Sequence, residues 1–176
     1  MAENKQFNFI KTHLNDVFVI EKSKFKDNRG DFIKTFNADV FKNENLESEF
    51  KESYYSFSHR NVLRGMHYQK APHGHAKLIS VIEGKILDVC VSVKKATKGQ
   101  YFSVELSKNN NKSLYIPNGY AHGFLVLSRY AIVLNQMTSV FNLESDTGIH
   151  YKSFGYKWPI KNPILSNKDK NLIYLK

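Results

Sequence analysis

The chain has a single cysteine, Cys90, so no internal disulfide can staple it. A lone thiol in an apolar run reads as a small core residue rather than a nucleophile, and it points to a reducing, cytoplasmic setting. No run of 18 apolar residues occurs, which excludes a membrane-spanning helix by hydropathy. The opening MAENKQFNFIK lacks the apolar centre of a secretory signal. Four prolines and nine glycines are too few for a flexible linker, and neither a repeat nor a low-complexity block interrupts the chain. One domain over residues 1–176 is therefore expected. No Gly-rich dinucleotide fingerprint is present, so no redox cofactor is expected. Acidic residues are also scarce: 16 against 26 basic ones, for a net charge of +10. The lysines are scattered rather than clustered, so the charge favours an anionic partner without saying whether that is nucleic acid, a membrane surface or a small substrate. Arginine appears only at Arg29, Arg60, Arg64 and Arg129.

What is abundant is alternation. Strand-like runs span 16–22, 31–36, 76–82, 86–93, 100–106, 112–116, 123–127 and 131–138. Turn signals such as Asn28-Arg29-Gly30, Glu83-Gly84 and Pro117-Asn118-Gly119 separate them. This predicts an all-β, antiparallel sandwich or barrel. Short helices are expected near 38–45 and in the tail from Lys168.

Seven histidines raise the question of a metal. His73-Gly74-His75 with Glu83, and His122 later, echo a cupin metal site, but Glu83 lies eight residues past His75 on an expected turn. That spacing is longer than the four or five residues such a site wants and is awkward for aiming both side chains into one barrel, so no metal is expected. His67 stands in better company. It follows Leu63-Arg64-Gly65-Met66, with Lys77 ten residues on and His122 in Ala121-His122-Gly123-Phe124. A bend at Gly65 is required for Arg64 and His67 to serve one pocket.

These stretches, DNRGDFIKTF, NVLRGMHYQ, AKLISVIEGKILDVCVSV, LYIPNGYAHGFLVLS and PILSNKD, run in order over nearly the whole chain. In them the sequence resembles the dTDP-4-dehydrorhamnose 3,5-epimerases and their relatives acting on other nucleotide sugars. The resemblance implies a cupin-type jelly-roll barrel and a homodimer in which an N-terminal strand crosses to the partner. It also implies a nucleotide-diphosphate 4-keto sugar as substrate, in surface-polysaccharide sugar biosynthesis, with no cofactor and no metal. The chemistry asks for little. The C–H beside a C4 ketone is acidic because its carbanion delocalises as an enolate, so a base, a cation at the enolate oxygen and an acid suffice. By resemblance, His67 is the base, Asp169 the carboxylate that orients it and Lys77 the cation near the keto oxygen. His122 is a second pocket histidine. Arg64 and Arg60 are placed to meet sugar and diphosphate oxygens. Arg29 and Phe32 match the crossing strand that reaches the nucleotide of the neighbouring subunit.

Two departures from the family stand out. The family's acid is a tyrosine thirteen residues after the histidine of AHGF, and here that position is Asn135. An amide cannot donate a proton usefully, which suggests inversion at one carbon, C3, rather than two. The family's base-reading glutamate is Lys34 here, and its upstream glutamine and asparagine are Glu52 and Tyr54. A free glutamate can accept two hydrogen bonds from guanine, so a GDP-linked hexose or heptose is favoured over a dTDP-linked sugar. The competing readings are a full 3,5-epimerase of a dTDP-4-keto-6-deoxyhexose, a 3,4-ketoisomerase and a non-catalytic sugar-nucleotide-binding cupin.

Overall fold

The computed structural model of the chain describes residues 6–175. Residues 1–5 of the N-terminal stretch read for a secretory signal lie outside them. Thirteen strands and two short helices follow in chain order. The first strands are β1 (Phe7–Lys11), β2 (Phe18–Lys22), β3 (Lys24–Asp27) and β4 (Gly30–Ile33). After α1 (Ala38–Asn43) come β5 (Glu52–His59), β6 (Leu63–Gln69), β7 (Lys77–Glu83), β8 (Lys85–Ser92) and β9 (Tyr101–Ser107). Next are β10 (Lys112–Ile116), β11 (Tyr120–Val126), β12 (Tyr130–Met137), β13 (Asp146–Gly148) and α2 (Asn167–Lys170). One sheet has the order β1-β2-β10-β7-β12-β5 and the other β13-β6-β11-β8-β9, while β3 and β4 pair only with each other. Every pairing between named strands is antiparallel. The result is an antiparallel all-β sandwich, as the alternation predicts, in the cupin-type jelly-roll form that the resemblance implies.

The pleat sorts the side chains. Val19, Ile79, Leu114 and Val133 of the large sheet meet Ile86, Cys90, Leu106 and Phe124 of the small one, all buried between the two. Cys90 is thus core, and burial pushes its thiol far above the ordinary range. On the outer side of the large sheet, α1 lays Phe41 against Phe7, Ile20, Leu78 and Tyr115. Its start is fixed by Asn37, whose side chain accepts from the Val40 N–H. Phe41 has no exposed surface, and truncating it to alanine costs ~3–5 kcal/mol. Lys22 is also buried there, donating to Ser113 Oγ at 2.6 Å and Ser80 Oγ at 3.4 Å. No carboxylate pairs with it among the described residues, and burial lowers its pKa to about 8.

The tail closes the other side. Ile164 bridges Val62 in parallel and accepts from the Leu63 N–H, and Ile173 bridges Ile149, so the last residues run alongside β6. Trp158 and Leu165 pack on Leu63, Leu125 and Tyr151 beneath them. This docking carries α2 to the mouth of the barrel.

Five strands, β1, β3, β5, β6 and β13, escape the alternation pattern, and three of them show a physical reason. β5 lines a cavity with Glu52, Tyr54 and Ser56, Tyr54 remaining 49% exposed at its mouth, while Tyr55 and Phe57 face away from it. Its polarity is inverted because its inner face lines a cavity. β6 is broken by Gly65, and β1 is a short edge strand. The strand expected over 31–36 ends at Ile33.

Candidate active site

A cavity of about 290 Å³ opens between the sheets at the end where β5, β6, β7 and β12 converge. Its floor depends on two glycines placed back to back. Gly65 on β6 has a φ of +129°, and a Cβ there would sit 2.5 Å from the Gly123 Cα on β11. A Cβ on Gly123 would in turn sit 2.6 Å from the Arg64 carbonyl oxygen. Only this close approach lets the register shift between His122 and Phe124, and it puts His67 directly opposite His122. The expected bend at Gly65 is thereby present, and Arg64, His67 and His122 all line one cavity.

His67 Nε2 lies 2.6 Å from Asp169 Oδ1, although the two residues are 102 apart in sequence. Ser166 caps α2 by accepting from the Asp169 N–H at 3.1 Å, which fixes the carboxylate beneath the ring. Burial alone pushes the Asp169 carboxyl up. The hydrogen bond and charge of His67, with hydrogen bonds from Ser166 and the Gly65 backbone, outweigh it and hold the pKa below the ordinary carboxylate value. With Nε2 donating to Asp169, Nδ1 has no protein partner among the described residues and is the nitrogen left to take a proton.

Lys77 donates to the His67 carbonyl oxygen at 3.2 Å, and burial lowers its pKa to about 8 against the raising effect of Asp146 and Asp88. Its ammonium is a half-desolvated cation in reach of the same space as His67. His122 Nε2 bonds Asp88 Oδ1 at 2.7 Å, deep in the sheet. Arg64 is held by Ser58 Oγ at 2.8 Å and the Phe57 carbonyl, with its guanidinium exposed at the rim. Asn135 is 4% exposed, and its amide donates to the Val133 carbonyl. Tyr54 and Glu52 line the opposite wall, and Glu52 accepts from the Phe141 N–H.

Four expected residues do not join this cavity. Arg60 lies in the turn after β5, exposed and bonded through its backbone to Arg129, because β5 carries the chain away from the cavity before it turns. Arg29 pairs with Asp27 at 2.6 Å at the tip of the β3–β4 hairpin. Phe32, 62% exposed, shares that hairpin and Lys34 follows it; none of the three reaches the cavity of its own chain. Residues missed in the sequence complete the wall. His75, with a pKa lowered to about 4 by burial and by the Lys77 charge, receives a bond from Gln69. Asp146, which pairs with Lys168, also lines the cavity, while Asp88, hidden in an apolar strand, backs His122 without lining the cavity itself. No cluster of three metal-ligating side chains lies among the described residues, and Glu83 is instead committed to Lys108 at 2.7 Å.

The model of the dTDP-4-dehydrorhamnose 3,5-epimerase family matches residues 11–176. This chain belongs to that family. A dTDP-4-dehydrorhamnose 3,5-epimerase of Methanothermobacter thermautotrophicus is 41% identical over 174 residues, covering 94% of this chain and 93% of the relative. That of Shigella flexneri is 39% identical over 169 residues, with 93% of each covered. Among solved structures, a Legionella pneumophila dTDP-6-deoxy-D-glucose-3,5-epimerase in complex with dTDP-4-keto-L-rhamnose is 34% identical. It superposes with a TM-score of 0.91, over 96% of this chain and 93% of that one. The epimerase family thus accounts for the jelly roll, and the His67–Asp169 pair and Lys77 are the groups this member sets round its cavity.

Proposed function

We propose that this epimerase inverts C3 and C5 of a dTDP-linked 4-keto-6-deoxyhexose, with His67 as the base and Lys77 as the cation at the enolate oxygen. The carrying observation is the 2.6 Å His67–Asp169 pair opening onto the same cavity as Lys77. Asp169 holds the ring in one tautomer and stabilises the imidazolium. The cavity is at the small end for a ligand site, so the sugar ring sits within and the diphosphate meets Arg64 at the rim.

The choice of dTDP over GDP, the reverse of what Glu52 suggests in the sequence, is supported in two ways. The relatives at 39% and 41% identity are named for dTDP sugars. One Glu52 oxygen also accepts from the Phe141 N–H, which ties the carboxylate to its own wall and leaves it less free to turn to a guanine edge. The β3–β4 hairpin, exposed and unused by its own chain, supports a homodimer in which Arg29, Phe32 and Lys34 serve the neighbouring site.

The test is incubation in D2O with dTDP- and GDP-linked 4-keto-6-deoxyhexoses, with deuterium located by NMR. Deuterium at both C3 and C5 of the dTDP sugar is expected. Label at C3 alone overturns the two-site reading in favour of the single-site one. Exchange restricted to the GDP sugar overturns the base assignment, and no exchange with either leaves a binding module.

A further inference from the structure

A base on one face of a ring carbon completes an inversion only if a proton arrives from the other face, and Asn135 supplies none. The register shows where one can come from. Asn135 on β12 is paired directly with Tyr54 on β5, and both side chains line the cavity. Side chains on one rung root about 5 Å apart, within the reach of a tyrosine, so a phenol on β5 can cover ground that a phenol on β12 would cover. β5 and β12 belong to the large sheet, while His67 is on β6 of the small one. The rung therefore faces the base across the cavity. Tyr68 also lines the cavity, but it is the residue after His67 on the same strand and packs with Met66 and Ile149.

We propose that Tyr54 is the acid of this site, its phenol protonating the enolate carbon from the face opposite His67. The inference rests on the epimerase reading above. His67 takes the C–H proton, and the bonding pair becomes the enolate double bond while the carbonyl π pair moves to oxygen. Tyr54 Oη–H then gives its proton to carbon, the carbonyl re-forms, and solvent returns the imidazolium and the phenolate to their starting forms. Tyr54 is 49% exposed at the mouth of the cavity and no protein group bonds its hydroxyl among the described residues, which leaves the phenol free to turn to a bound sugar; the buried Ser56 Oγ on the same wall is without a partner. Partial burial and the Glu52 carboxylate raise the phenol's pKa against the lowering effect of Arg64, so the group stays protonated at neutral pH and ready to donate.

The experiment compares wild type, Tyr54→Phe, Tyr54→Asn and the double variant Tyr54→Asn/Asn135→Tyr in D2O, scoring deuterium wash-in to recovered substrate separately from inverted product. Tyr54→Phe should keep wash-in within about threefold while inversion falls roughly 10²- to 10⁴-fold. The double variant, which returns a phenol to the other side of the rung, should regain at least about tenfold over Tyr54→Asn. Inversion by Tyr54→Phe within about twofold of wild type overturns the proposal. So does a parallel loss of wash-in and inversion, which would make the ring a substrate contact. Failure of the epimerase reading itself looks different: wild type would show no wash-in at all.

Discussion

The site contains the same chemical pair twice, on facing strands. His67 with Asp169 and His122 with Asp88 are bonded at 2.6 and 2.7 Å, and the two histidines occupy one rung of the β6–β11 pairing. They differ in their surroundings. The His67 side chain is 31% exposed with one ring nitrogen unpartnered, while that of His122 is 5% exposed and backed by an Asp88 with no exposed surface. Asp169 hangs from the docked tail and receives further hydrogen bonds from Ser166 and Gly65. Asp88 sits in mid-strand, and its Oδ2 has no partner. A pair that must gain and lose a proton needs one sealed side and one open side. A pair sealed on both sides holds geometry instead.

The largest expected effect breaks the open pair. His67→Asn should lower deuterium wash-in at the sugar carbons by about 10⁴-fold. The melting temperature should move by less than about 3 °C, because a partly exposed side chain leaves no cavity behind. Wash-in surviving within about tenfold would remove His67 from the base role and hand it to another group. The sealed pair should respond the other way round. Asp88→Asn replaces the charged acceptor of His122 with a neutral amide in a dry interior, at a stability cost of about 1–3 kcal/mol seen in the denaturation midpoint. Wash-in by the folded protein should fall less than about tenfold. An Asp88→Asn protein of unchanged stability but drastically lower exchange would show that the two pairs share the proton chemistry.

The same contrast explains what was legible in the sequence. The sandwich was, because a strand buried on one face must alternate, as β12 does, and 86–93, buried on both faces, reads as a short apolar run between turns. β5 was hidden by its use: a strand lining a polar cavity inverts the pattern that reveals strands. His67 could be singled out by its neighbours Arg64, Gly65 and Lys77, which are local in sequence. Asp169 could not, since a carboxylate in a polar tail looks solvated until Ile164 and Ile173 dock beside β6; only the resemblance pointed to it. Asp88 gave no local signal either, for its partner arrives from β11. Arg60 was misplaced because four residues of sequence separate it from Arg64, but a turn separates them in space. The Tyr54–Asn135 rung lay outside what spacing can show, since pairing register is a property of two strands and not of either one.

The smallest effect separates two lysines that burial treats alike. Lys77 in the cavity and Lys22 behind the large sheet both have pKa values lowered to about 8. A lysine whose folded pKa is depressed sheds its proton in the folded state while the unfolded chain still holds one. Stability from both residues therefore rises with pH between about 8 and the ordinary value of 10.5, and is flat below that window. Activity takes the opposite sign at Lys77 alone, because only the ammonium can hold the enolate oxygen. The rate of inversion should fall as pH rises past about 8, reaching about a tenth of its plateau one pH unit higher. Lys22→Met should remove part of the alkaline gain in stability, measured by denaturation at about pH 7 and about pH 10, and leave the rate profile where it was. A rate limb that moved with Lys22→Met would place the titrating cation behind the sheet, and the enolate would then need another partner.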